Sequence, residues 1–161
     1  MKVGDLMTKR VICVRANEPV STAVEQMWAQ DCGALPVLDP NGDRVIGMIT
    51  DRDACMAAWH LGRPMRDISV GEAGSRVLYF CGPDDSVASA EALMRQKQVR
   101  RLPVLDAYGR IAGVLSLADI VRAADRERGS RERDIPADEL TATVSAICCP
   151  PQNTTSPARA A

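Results

Sequence analysis

Leu35-Pro36-Val37-Leu38-Asp39, then Gly42, then Gly47-Met48-Ile49-Thr50-Asp51-Arg52-Asp53 is the stretch that decides the fold, because the chain writes it twice. It returns as Leu102-Pro103-Val104-Leu105-Asp106, Gly109 and Gly113-Val114-Leu115-Ser116-Leu117-Ala118-Asp119. A period near 67 residues is too long for a solenoid unit, so the pattern reads as two copies of one small α/β module. Two similar copies packed together imply pseudo-twofold symmetry and paired clefts between them.

Working outward, each copy reads strand, helix, strand, turn, strand, helix. Val11-Ile12-Cys13-Val14 is an apolar run, and Val20, Ala23, Val24 and Met27 follow at helical spacing, with Asn17 as the expected cap. In the second copy Asp84 matches Asn17, Ser86-Val87 opens the helix, and Val87, Ala90 and Met94 repeat its face. Asp39-Pro40-Asn41-Gly42-Asp43 and Asp106-Ala107-Tyr108-Gly109 carry hairpin-turn chemistry between apolar runs. Pro36 and Pro103 fall inside expected strands, which suggests a sheet edge or a strand start.

These elements give an α+β expectation: two β-α-β-β-α modules over 1–58 and 75–126, joined by a breaker-rich linker over 59–74 with one short helical turn. Residues 127–161 then hold a mixed charge run, an amphipathic helix with Leu140, Val144 and Ile147 on one side, and a polar tail.

With 161 residues, 46% of them hydrophobic, the chain can bury one ordinary core, whereas half of it would be marginal alone. Twenty basic and 21 acidic side chains leave a net charge of -1, which argues against a broad nucleic-acid or anionic-membrane surface. Without an 18-residue apolar run or a signal-like start, the cytoplasm is the default compartment. There the six cysteines are expected as free thiols, with Cys13, Cys32, Cys55 and Cys81 acting as small hydrophobes and Cys148-Cys149 lacking zinc-ligand spacing.

The repeated Gly-x-x-Thr/Ser-x-x-Asp has two meanings. Hydroxyl and carboxylate three apart make a helix capping box. The same pieces suit a nucleoside phosphate: glycine admits a ligand to the backbone, the helix amino end and hydroxyl favour phosphate, and the carboxylate accepts from a ribose diol.

In this order, the double motif resembles a tandem pair of cystathionine beta-synthase (CBS) domains, a Bateman module, over roughly residues 3–124. The resemblance implies binding of adenosyl ligands (AMP, ADP, ATP, NAD or S-adenosylmethionine) in two clefts, with no required cofactor and no metal. It implies that Asp53 and Asp119 hold ribose, that Thr50 and Ser116 meet ribose or phosphate, and that the residues before Leu-Pro line the pocket. Those are Gly33-Ala34 in one copy and Arg100-Arg101 in the other, so the clefts are unequal. The arginines are the expected phosphate contact, grouped here with Ser116 and Asp119 of their own copy. Ile12 and Tyr79, in the first strands, are candidates to wall the adenine.

The expected function is thus a non-enzymatic regulatory module that senses adenine nucleotides, pairs as a homodimer and modulates a partner protein. Trp28 and Met56 on the outer helices are the candidate dimer contacts, and His60 anchors no catalytic set. A scaffold that dimerises without ligand is the rival reading.

Overall fold

The structure is a computed structural model that describes residues 1–75, 77–127 and 135–148. In the first half, β1 (Val14–Arg15), α2 (Val20–Ala29), β2 (Ala34–Leu38), β3 (Val45–Thr50) and α3 (Asp51–Leu61) follow α1 (Val3–Leu6). A 3-10 turn over Met65–Asp67 and α4 (Val70–Ala73) lead into the second half, where α5 (Val87–Lys97), β4 (Arg101–Leu105), β5 (Ile111–Ser116) and α6 (Leu117–Arg126) repeat the order. A last helix, α7, spans Ala137–Cys148. The charge run over 128–134 and the tail from 149 lie outside the described residues.

The hairpins form as their turns dictate. Gly42 and Gly109 adopt φ of +85° and +76°, the left-handed geometry that glycine tolerates best. Asp39 Oδ1 accepts from the Gly42 and Asp43 amides (both 2.8 Å), and Asp106 Oδ1 accepts from Tyr108 (2.8 Å) and Arg110 (2.9 Å). β2 pairs antiparallel with β3 and β4 with β5.

Several sequence expectations are corrected. The first strand is confined to Val14–Arg15 and leaves Ile12 outside it and exposed. Helix α2 is capped by Pro19 rather than Asn17, its backbone already set at φ -69° for helix entry. Pro36 sits in the middle strand of the β1-β2-β3 sheet, not on an edge. The second half shows why proline is tolerated there: the Cys81 amide donates to the Pro103 carbonyl (3.2 Å) and Leu105 donates back to Cys81 (2.9 Å). That short parallel ladder begins at the proline's carbonyl and asks for no proline N–H.

Packing is out of phase with the repeat. Val3 of α1 is buried in the second half's core, beside Leu102, Leu115 and Ile120. Ile68 and Val70, in the stretch read as a linker, are fully buried in the first half's core beside Leu35 and Ile49. Each half therefore receives the segment that precedes the other. The bridges repeat this exchange: Ser75 pairs with Met48 of β3, and Thr8 pairs with Val114 of β5.

Gly47 and Gly113 make the crossing sterically feasible. A Cβ on Gly47 would lie 2.2 Å from the Ser75 carbonyl oxygen, and one on Gly113 would lie 2.7 Å from Met7 Sδ and 2.8 Å from the Thr8 oxygen. The glycine of the repeated motif thus admits the other half's backbone, where the sequence had suggested a ligand.

Helix α7 packs mainly on α5, and also on α6. Leu140, Thr143 and Ile147 form its inner face, with Thr143 added to the sequence expectation, while Val144 is half-buried and not part of the core cluster. The Thr143 hydroxyl and one carboxylate oxygen of Glu91 on α5 are buried without a hydrogen-bond partner among the described residues. Among the described residues no helix is long and apolar enough to cross a membrane.

Gly47→Ala is expected to cost about 3 kcal/mol, the upper end for overpacking, because the added carbon meets backbone, at roughly 2–4 °C of Tm per kcal/mol for a chain of this size. Gly62→Ala, at φ +62° with open space around the added carbon, should cost about 1 kcal/mol from backbone preference alone. Thermal unfolding of the two variants measures the difference, and equal losses would contradict an interlock at Gly47.

Candidate functional site

Helices α3 and α6 begin with the same capping box. The Asp53 amide donates to Thr50 Oγ1 (3.1 Å), while the Thr50 amide (2.9 Å) and hydroxyl (2.7 Å) donate to Asp53 Oδ2. Ser116 and Asp119 repeat the set, with the Asp119 amide to Ser116 Oγ at 3.2 Å and the Ser116 amide and hydroxyl to Asp119 Oδ2 at 2.8 and 2.6 Å. Capping is therefore a fact in both copies, and it consumes one carboxylate oxygen of each.

The second oxygen separates them. Arg122 binds Asp119 Oδ1 from one turn further along α6. Met56 stands at the corresponding place in α3, and Asp53 Oδ1 has no partner among the described residues. Among the described residues, only the first copy presents an uncommitted acceptor at its helix start.

That acceptor belongs to a cleft of about 560 Å³ between the halves, within the size range of small-ligand sites. Thr50, Asp51, Arg52 and Asp53 form one side, and Arg100 and Arg101, at the entry to β4, form another. Gly33 and Ala34 line it as well, so the residues before both Leu-Pro pairs converge on one place. Met48, Val77, Tyr79, Val99 and Ile147 supply apolar surface. The Lys97 ammonium lies 5.4 Å from the Tyr79 ring centroid, above one of its faces.

This regroups the residues singled out from sequence. Arg100 and Arg101 line the cleft together with Thr50 and Asp53 of the other half, although Arg101 also pairs with Ser116 of its own copy across the β4–β5 ladder. The reason is the twofold arrangement, which turns the starts of β2 and β4 toward each other. Ser116, Asp119 and Ile12 do not line this cleft.

Asp51, whose counterpart is Leu117, turns one oxygen to the Arg52 amide (2.7 Å). Its other oxygen lies 3.1 Å from where a Gly33 Cβ would stand, and Arg101 Nη2 lies 3.8 Å from the same point. Gly33 thus leaves room for a carboxylate and a guanidinium to approach one another at the cleft wall.

Sequence reasoning missed the polar Ser75 and Gln98 and the apolar Met48, Val77, Val99 and Ile147 as lining residues. Gln98 ends α5 at φ +53°, and Asp31 holds the matching post after α2 at +49°. That shared left-handed position is a repeat signal visible only with the backbone in hand. Ile147 lies outside the repeat and had no counterpart to betray it.

A second hollow, about 620 Å³, lies between the hairpin turns and is lined by Arg44, Tyr108 and Arg110 among others; of the repeated motif it includes only the turn glycine Gly109, and none of the Thr/Ser-x-x-Asp residues. Trp28 and Trp59 line neither hollow and are 88% and 72% exposed. Among the described residues no cluster of three or more His, Cys, Asp or Glu is arranged to hold a metal ion.

The CBS domain model matches residues 3–60 and 70–126, and the chain belongs to the CBS domain family. It is 31% identical over 146 residues to hypoxic response protein 1 of Mycobacterium tuberculosis, covering 91% of this chain and 93% of that one. A crystal structure of Hypoxic Response Protein I with two coordinated zinc ions superposes with a TM-score of 0.69 at 32% identity, over 76% of this chain and 98% of that one. The structure of CBSX2 in complex with AMP gives the same TM-score at 27% identity, over 79% of this chain and 98% of that one.

Among the described residues no cysteine lines the cleft. Burial pushes the thiols of Cys13 and Cys81 up to about 11, with the Asp85 charge adding to the effect at Cys81. Cys55, expected among apolar neighbours, is instead exposed on α3, as is Cys148 at the end of α7. Only thiolates alkylate quickly, so iodoacetamide at pH 8 should label Cys55 and Cys148 while Cys13 and Cys81 stay unmodified until denaturant is added. Mass mapping of the labelled peptides checks this, and early labelling of Cys81 would contradict its placement.

Proposed function

We propose that this chain is a regulatory module that binds an adenosine phosphate, AMP foremost, in the cleft between its halves, without turnover, and thereby modulates a partner protein. The observation that carries this reading is the uncommitted Asp53 Oδ1, presented beside the α3 amino end in a cleft that also holds two arginines. A carboxylate oxygen suits a ribose diol, while guanidinium forks and the helix terminus suit a phosphate. Tyr79, Val77, Val99 and Met48 offer the apolar surface that a purine ring needs. The AMP held by CBSX2 supports the choice of ligand.

The unequal carboxylates make the reading asymmetric. Asp53 addresses the ribose, Arg100 and Arg101 the phosphate, and Thr50 either group, whereas Asp119 is engaged by Arg122. Ser116, Asp119 and Ile12 would serve a second, weaker cleft. A single phosphate fits the Asp51 carboxylate better than a long polyphosphate does, since Asp51 would face its added negative charge.

Self-association is the second part of the proposal. Trp28 on α2 and Met56 and Trp59 on α3 are exposed to 88%, 41% and 72%, an apolar surface that a closed homodimer would cover. Light scattering at micromolar concentration should give twice the 17.4 kDa chain mass. A single-chain mass there would remove the dimer from the reading.

Calorimetry with AMP and adenosine tests the cleft. Replacing Arg100 and Arg101 by Ala should weaken AMP by roughly ten- to a hundredfold for each charge-assisted bond lost, at about 1.5–3 kcal/mol per bond, and adenosine by less than threefold. Asp53→Asn should weaken both ligands alike, and Asp119→Asn neither by more than twofold. Equal losses from Asp53→Asn and Asp119→Asn would overturn the asymmetry. Wild-type protein that binds no adenosyl compound would overturn the function.

A further inference from the structure

Helix α7 lies beyond residue 126, where the family match ends, yet it reaches the cleft. Ile147, 7% exposed, belongs to the second half's core and also lines the cleft, beside the apolar surface of Val99 and Tyr79. One residue earlier, the Ala146 carbonyl accepts from Gln98 Nε2 at 3.5 Å. Gln98 is itself a cleft residue and opens the run that continues through Val99 to Arg100 and Arg101. A single segment of four residues therefore touches α7 at one end and offers both guanidinium groups at the other.

We propose that α7 is a ligand-coupled wall of the cleft: an adenosyl ligand seated there packs its base against Ile147 and holds the helix docked, and the docked helix raises the affinity. This rests on the reading of the cleft as an adenosyl site and adds the element through which occupancy is transmitted. The coupling is reciprocal by necessity, since a ligand that favours the docked state must bind more tightly when the helix is docked.

The packing of α7 suits a helix that responds. Its inner face is mixed: among the described residues the fully buried Thr143 hydroxyl has no partner, and α5, its main support, buries an oxygen of Glu91 that has none either. Buried polar atoms without partners are unfavourable, so α7 docks less firmly than an all-apolar helix would. The hydrogen bond from Gln98 is long, and a ligand that orders the 98–101 segment would tighten it.

Hydrogen exchange on the full chain, with and without saturating AMP, reads the coupling directly. The amides of residues 140–148 should exchange at least fivefold more slowly with AMP, as should those around Thr50. In parallel, calorimetry on Ile147→Val and Gln98→Ala, both mild enough to fold, should show AMP and adenosine weakened by the same factor, about three- to tenfold, because the contact is to the base and its flank. That pattern separates α7 from Arg100 and Arg101, whose loss spares adenosine. Unchanged exchange in α7 together with affinities within twofold of wild type would overturn the coupling while leaving the AMP site intact. Wild-type protein that binds neither AMP nor adenosine would remove both readings at once.

Discussion

The two halves of this molecule join where two backbone segments cross and pair beside two glycines. The segment before each repeat crosses to the other half, where the Ser75 oxygen abuts Gly47 and the Thr8 oxygen abuts Gly113. The buried side chains follow the same exchange, Val3 into the second core and Val70 into the first. A half cut out at the repeat boundary would lose part of its own core and carry an unneeded strip of the other. The marginal size of each half and the exchange of segments are thus two sides of one constraint.

The cleft is a consequence. Once the halves are interlocked about a pseudo-twofold axis, the starts of β2 and β4 face each other, and whatever residues stand there become cleft walls. Symmetry would make two equal clefts, but substitutions break it at the places that matter. Ala34 is matched by Arg101, and Met56 is matched by Arg122. The first pair puts positive charge on one wall, and the second leaves one carboxylate oxygen open and closes the other. Gene-level repetition supplies the scaffold, and a few divergent side chains give it polarity.

Helix α7 adds a third party that has no repeat partner. Because it packs on α5 and α6 and also reaches the cleft through Ile147, it links the binding surface to the part of the chain that lies outside the tandem modules. The two faces of one α5 C-terminus, Gln98 toward α7 and Arg100–Arg101 toward the cleft, place the link in a short run of backbone.

The repeat, its two hairpins, the helix faces and the Thr50–Asp53 and Ser116–Asp119 pairs were legible in the sequence, since period, turn residues and capping spacing are all local properties. Local patterns also located α7, though Thr143 on its inner face is polar and was passed over. Three things required tertiary structure. Which segment completes which core depends on chain crossings with no local signature, so the stretch read as a linker carries buried Ile68 and Val70. The grouping of Arg100 and Arg101 with Asp53 depends on the twofold arrangement, which sets the two halves' residues side by side. The difference between Asp53 and Asp119 depends on what reaches the second carboxylate oxygen, a matter of one arginine on the next helical turn. The sequence determined the parts and their chemistry because propensity and periodicity act over a few residues; the partners were decided in three dimensions, because hydrogen bonds and packing join residues that sequence spacing does not relate.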